Sequence, residues 1–172
     1  TCGPSYASID SVRRITNAAT GEIGVALSDA LAARGFEVVC LRGEGSTAPP
    51  PSSARVVAFS TNGSLLEKLE VLAGSVEAVF HAAALCDFEP EEASIRGKIP
   101  TSEGAITLRL RPAVKILPRL RGLFPGAFIA GWKFEVDGSR EDALAKGRAQ
   151  IAACGTSACA VRSTWFFSSA TS

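Results

Sequence analysis

The sequence predicts an α/β fold: a Rossmann-like, three-layer domain built on a mostly parallel sheet. Two observations carry that expectation. Continuous apolar runs at 37–41, 56–59 and 78–84 suit strands covered on both faces. Amphipathic helical patterns fill the intervals, and such alternation implies parallel strands joined by right-handed crossovers. With 172 residues, 47% apolar and 20% charged, the chain is long and apolar enough to bury one core of ordinary size.

Each element has its own signal. Over 22–34, Ile23, Leu27 and Leu31 recur at steps of four on one face, and Gly35 supplies a stop. The stretch 43–53, rich in Gly, Ser and Pro, reads as a surface loop. Over 65–72, Leu65, Leu66, Leu69 and Leu72 face inward, with Glu67, Lys68 and Glu70 outside. The alternation at 105–111 predicts a half-exposed strand, and 114–123 a short helix that accommodates Pro118. A buried strand follows at 127–132. Ser139 then caps a helix ending near Cys154-Gly155, and 158–161 forms a last strand. A domain over 1–162 is thus followed by a tail, 163–172, without a period. The opening Thr1-Cys2-Gly3-Pro4 lacks the apolar strand that normally feeds a first glycine turn, so that strand is either cut off or supplied otherwise.

Composition excludes several function classes. Eighteen Lys and Arg against seventeen Asp and Glu leave a net charge of +1, too small a basic excess for a nucleic-acid groove. No apolar run reaches the ~18 residues of a membrane span, and no charged-then-apolar leader opens the chain, so a soluble cytoplasmic domain is expected. Five cysteines, an odd number without Cys-x-x-Cys, predict reduced thiols buried as small apolar groups. With His81 the only histidine, no metal site is expected.

Two constellations could carry chemistry. In the first, Gly21 and Gly24 open a helix, where backbone N–H groups can approach a phosphate at the positive end of the dipole; tight helix–sheet packing is the other reading of the same glycines. Arg13 and Asn17 lie just upstream, an anion clamp and an amide that can steady a carbonyl oxygen gaining charge. The second runs from the small residues Ala82, Ala83 and Ala84 through Asp87 to Lys98. Small residues at the C-terminal end of a parallel strand leave room where open α/β sheets bind ligands. Lys98, on a Gly-containing loop, could neutralise phosphate as a flap. His81, inside an apolar strand, reads as a core residue.

Together these segments resemble the phosphopantothenoylcysteine synthetase family, ligases of coenzyme A biosynthesis. The resemblance spans roughly 1–161. It rests on Thr1-Cys2-Gly3-Pro4 with Ile9-Asp10-Ser11-Val12-Arg13, Thr16-Asn17 to Gly24, Ala83-Ala84-Leu85-Cys86-Asp87, Lys98-Ile99 and Gly131-Trp132-Lys133-Phe134-Glu135. It implies a 4′-phosphopantothenate carboxylate attacking the α-phosphorus of CTP or ATP with Mg²⁺ present. The cysteine amine then takes the acyl group and releases the monophosphate. By the same resemblance Asn17, Lys98 and Arg13 are catalytic, with Arg13 reaching in from the other subunit of a homodimer. Ala83, Ala84 and Asp87 would meet the pantothenate moiety; Gly3, Gly21, Gly24, Trp132 and Lys146 would surround the nucleotide. A flavin-dependent decarboxylase on another chain is an implied partner; nucleic acid and membrane are not.

The sequence departs from that pattern in places. Ala18-Ala19-Thr20 replaces a Ser-rich turn, Pro100-Thr101 follows the flap lysine, and Trp132 replaces a Phe. Gln150 stands where many bacterial members keep a lysine, and Arg162 where an Asn helps bind nucleotide. A non-catalytic homologue that binds a nucleotide or pantothenate-like ligand therefore stays open as an alternative. An NAD(P)-dependent reductase is the third reading, weakened because Tyr6, the only tyrosine, has Asp10 rather than Lys four residues on.

Overall fold

The computed structural model describes residues 1–92 and 97–163, so the predicted tail lies outside the described residues apart from its first residue, Ser163. In chain order the elements are β1 (Tyr6–Ser8), β2 (Arg14–Thr16), α1 (Glu22–Ala32), β3 (Val39–Gly43), β4 (Arg55–Phe59), α2 (Asn62–Val71), β5 (Ala78–His81) and β6 (Phe88–Pro90). A 3₁₀ turn at Thr101–Glu103 precedes β7 (Leu110–Pro112), α3 (Leu117–Leu123), β8 (Phe128–Glu135), α4 (Arg140–Cys154) and β9 (Ala158–Ser163). They fall into two units, 1–71 with 82–115, and 72–81 with the chain from Ile116 onward.

In the first unit the opening residues themselves supply the strand that sequence reasoning found missing. Cys2 N–H donates to Leu41 O and Gly43 N–H to Cys2 O, both at 2.9 Å, so residues 2–4 run parallel to β3. On their other side Ala84 N–H donates to Gly3 O at 3.0 Å and Ser5 N–H to Ala84 O at 3.2 Å. β3 pairs in parallel with β4, Cys40 opposite Val56. The parallel order is therefore β4, β3, residues 2–4 and residues 82–84. The opening run is too short and glycine-interrupted to look like a strand; its ladder comes from long-range partners on both sides.

Two expectations about burial are corrected here. The apolar run 56–59 is not covered on both faces: Val56 is 41% exposed and Ala58 is exposed, while Phe59 is buried. Nor does α1 bury Ile23, Leu27 and Leu31 as one stripe. Gly24 and Ser28 are its buried residues, and Ile23 is 41% exposed. Small residues face the sheet because the helix lies very close to Cys2.

The rest of the unit is two short antiparallel ladders, β1 with β2 and β6 with β7. Among the described residues the alternating stretch 105–111 enters a ladder at Leu110 and Arg111, opposite Pro90 and Glu89. At the start of α2, Asn62 accepts from Ser5 Oγ (2.6 Å) and donates to Cys86 O (2.9 Å) and Val114 O (3.0 Å). Ser5 Oγ in turn accepts from Cys86 N–H at 2.8 Å. This buried polar cluster is satisfied throughout, and it fixes the chain as it leaves the small-residue strand end.

The second unit holds the parallel sheet β5-β8-β9, with His81 opposite Gly131 and Gly131 opposite Cys159. Pro118 sits in the first turn of α3, where its missing N–H has no helical partner to lose. Ser139 caps α4 as predicted: Asp142 N–H donates to Ser139 Oγ at 3.1 Å and Ser139 N–H to the Asp142 carboxylate at 2.8 Å. Ile129, Leu120 and Phe124 fill the core. The whole is the predicted Rossmann-like α/β type, parallel wherever strands neighbour helices and antiparallel in the two small ladders.

Candidate functional site

The first unit holds most of the predicted residues, and Gly3 and Asn17 are hydrogen-bonded at the exit of residues 82–84. Ala84 is held by the Gly3 carbonyl, and Ala83 N–H donates to the Thr1 hydroxyl at 3.3 Å. Asn17, exposed just beyond β2, donates its amide to the carbonyl of Leu85 at 2.9 Å. One hydrogen bond thus joins the Asn17 loop to the small-residue strand end, 68 positions apart in sequence. Asp87, two residues on, is exposed and ion-paired with Lys115, and its backbone carbonyl accepts from Ala113 N–H at 2.9 Å.

The segment carrying Lys98 is held by a residue that sequence reasoning did not single out. The Asp10 side chain is fully buried. It accepts from the N–H groups of Val12 (2.9 Å), Arg13 (2.7 Å) and Ile99 (3.2 Å), and pairs with the Arg13 guanidinium at 3.1 Å. These bonds, that from Val12 first, hold its carboxyl below the usual carboxylate range. Arg13 also donates to Ile99 O at 3.0 Å, while Gly97 exchanges hydrogen bonds with Ser11. Both neighbours of Lys98 are therefore pinned to the 10–13 loop, and the lysine itself stays exposed. Arg13, expected to reach towards another subunit, is engaged within its own chain at Asp10 and Ile99. The available signal for Asp10 was its place in Ile9-Asp10-Ser11-Val12-Arg13, but nothing in that string reveals a partner 89 residues away.

The glycine turn forms the third wall of this unit. Gly21 caps α1 with φ +85°, a left-handed conformation that a side chain would strain. A Cβ there would come within 3.2 Å of Gly3 Cα, so Gly3 and Gly21 pack backbone on backbone. Gly24 serves the packing reading: its missing Cβ leaves room for Cys2. The loop 43–53, expected as plain surface, folds onto the turn, with Thr47 and Ala48 N–H both donating to Thr20 O. Arg42 clamps it from behind at Ser46 O (2.8 Å) and Ala48 O (2.6 Å). Ser46 Oγ ends up buried beside Gly3 and Gly21 without a hydrogen-bond partner.

Trp132 and Lys146 belong to the second unit. Trp132 lies on β8, half-buried. Lys146, on α4, pairs with Glu135, which also meets Lys133 at 3.4 Å. That pairing lowers the Glu135 pKa and raises that of Lys146. Gln150 points into this unit, donating to Cys159 Sγ at 3.2 Å close to Gly131, so the departure from lysine there is a packing residue. Arg162 is exposed on β9. His81 is the core residue that sequence reasoning expected: burial pushes its pKa down to about 3 and leaves it neutral at pH 7.

A parallel α/β layer with a glycine-capped helix N-terminus places the chain in the class of Rossmann-like α/β proteins. The comparisons narrow that class. Residues 1–154 match the family model described as the DNA/pantothenate metabolism flavoprotein C-terminal domain, and the chain belongs to that family. It is 33% identical over 159 residues to the coenzyme A biosynthesis bifunctional protein CoaBC of Thermococcus kodakarensis, covering 91% of this chain and 38% of that protein. The chain thus spans about two fifths of that relative's length. The crystal structure of the DNA/pantothenate metabolism flavoprotein from Streptococcus pneumoniae matches with a TM-score of 0.87 at 20% identity, over 98% of this chain and 82% of that one. A Cab2 mutant solved in complex with phosphopantothenate-cysteine matches with a TM-score of 0.78 at 18% identity, over 95% of this chain and 71% of that one.

Proposed function

We propose that the chain is a phosphopantothenate–cysteine ligase domain using a nucleoside triphosphate, CTP or ATP. The observation that carries the reading is the hydrogen bond that joins Asn17 to the carbonyl of Leu85, at the end of the Ala83-Ala84 strand. Family membership, the CoaBC relative and the Cab2 complex support it. In this reading the pantothenate carboxylate attacks the α-phosphorus, pyrophosphate leaves, and the cysteine amine displaces the nucleotide from the acyl carbon. Such a reaction needs charge neutralisation and close positioning of two anions rather than an acid–base pair. A neutral, buried His81 agrees with that demand.

The roles divide by chemistry. Asn17 steadies the acyl oxygen, Lys98 neutralises the triphosphate, and Ala83, Ala84 and Asp87 bound the pantothenate moiety. Gly3 and Gly21, with the Ser46 hydroxyl between them, receive nucleotide oxygens; Gly24 brings the helix N-terminus close. For Trp132 and Lys146, which belong to the second unit, a nucleotide-binding role rests on the family resemblance alone. Among the described residues no group of three or more His, Cys, Asp and Glu side chains converges. Mg²⁺, as the reaction's companion ion, would supply charge neutralisation at the triphosphate. A cytoplasmic homodimer and a decarboxylase on a separate chain complete the proposal; Arg13 would serve across the subunits only by releasing Asp10 and Ile99, which hold it within its own chain.

The test is monophosphate release by the purified chain with 4′-phosphopantothenate, cysteine, Mg²⁺ and either CTP or ATP. Release that requires phosphopantothenate is expected, and Asn17→Ala should lower it about 10²–10³-fold, the usual loss for an oxyanion donor. Binding of both substrates without release would instead establish the non-catalytic alternative.

A further inference from the structure

Cys2 and Cys40 stand on neighbouring parallel strands with their sulfurs 3.5 Å apart, both as free thiols and both buried. The register explains the approach. Cys2 is bridged to Arg42, so it shares a sheet face with the residue two positions before Arg42, which is Cys40. A disulfide has its sulfurs about 2.05 Å apart. From 3.5 Å the remaining gap is roughly 1.5 Å; because the two residues are diagonal rather than directly opposite across the ladder, closing it takes side-chain rotation together with a shift of Cys2 towards β3, in the plane of the sheet. The two thiols also differ. The hydrogen bond between them lowers the pKa of Cys40, aided by the Ser28 hydroxyl, and with burial raises that of Cys2. Cys40 is thus the thiolate-forming member and Cys2 the proton-bearing one. The other three cysteines have no such arrangement. Cys86 donates to the carbonyls of Ser5 and Ile15, and burial raises the pKa of Cys154 and of Cys159.

We propose that Cys2 and Cys40 form a redox-modification site, a dithiol that closes to an intrachain disulfide beneath the glycine turn. The oxidant is a peroxide. The Cys40 thiolate takes one peroxide oxygen to become a sulfenic acid, and the departing hydroxide leaves as water after taking up a proton. Cys2 then gives up its proton and attacks the Cys40 sulfur; the S–S bond forms, the S–O bond breaks and a second water leaves. Two electrons pass from the thiol pair to the peroxide. The product ties residues 2–4 covalently to β3, directly under the first turn of α1, where Gly24 leaves no slack against Cys2.

The experiment treats the native chain with hydrogen peroxide, alkylates it in denaturant and maps it by mass spectrometry. A loss of two hydrogens, one linked peptide pair holding Cys2 and Cys40, and two of the five thiols protected from alkylation are expected, all reversed by dithiothreitol. Cys40→Ser should abolish the protection and Cys86→Ser should keep it. Because the wild-type map needs no variant, a substitution that fails to fold does not rescue the idea. Five alkylated thiols after treatment, a sulfinic acid at Cys40 with Cys2 still alkylated, or linkage through the remaining cysteines would each overturn it. None of these readouts depends on the ligase reading.

Discussion

Gly24 offers the most direct test of how the glycine turn is built. Alanine in a helix interior is ordinarily more favourable than glycine by about 1 kcal/mol. At Gly24 the added methyl would overlap Cys2 Cβ and come within 3.1 Å of both Cys2 Cα and the Thr1 carbonyl. The neighbouring chain cannot slide away cheaply, because residues 2–4 are hydrogen-bonded to β3 on one side and to 82–84 on the other. Overpacking of a tight site costs about 1–3 kcal/mol, and with backbone on the receiving side the upper end applies. Subtracting the propensity gain leaves a net loss of about 2 kcal/mol. With a urea m-value of about 2 kcal/mol/M, Gly24→Ala should lower the unfolding midpoint by about 1 M. Gly122→Ala in α3 is the internal control, since a Cβ there meets nothing within 4 Å and should stabilise by up to about 1 kcal/mol. If Gly24→Ala raised the midpoint as Gly122→Ala does, the close packing of α1 on Cys2 would be wrong.

Three further outcomes are expected. The depressed Asp10 pKa makes its contribution to stability full above the unfolded value of about 3.9 and lost as pH falls through the lower folded value; Asp10→Asn should erase that acid limb and speed hydrogen exchange at the Ile99 amide, and an unchanged limb with unchanged exchange would count against the anchor. His81 is also depressed, so stability should decline as pH drops from about 6.5 towards about 3, where the unfolded chain binds the proton and the folded chain resists it; His81→Gln should flatten that window in a pH series of thermal melts. Ser139→Ala removes the reciprocal cap of α4 and should cost about 1 kcal/mol, seen as a thermal midpoint lower by about 3 °C; no shift would mean the capping box is not formed in solution.

Periodicity and local chemistry were enough to place α1, α2, α4, β3, β4, β5, β8 and β9 within a few residues, because their signals lie within a single turn or strand: Ser139 three before Asp142, Pro118 at a helix start, Gly35 after a helix end. Side-chain chemistry singled out Arg13, Asn17, Asp87 and Lys98 as candidates for handling anions, a role that belongs to the proposal. Tertiary structure alone decided the remainder. Residues 2–4 became a strand by pairing with β3 and 82–84. Asp10 became the anchor of the Lys98 segment through the Ile99 amide, and Ser46 was brought under the glycine turn. The buried face of α1 passed from its leucines to Gly24 and Ser28, and 105–111 joined a ladder only at its last residues. In each case the deciding partner lies tens of residues away, and a hydrogen-bond ladder or a close backbone contact leaves no periodic mark on either segment taken alone.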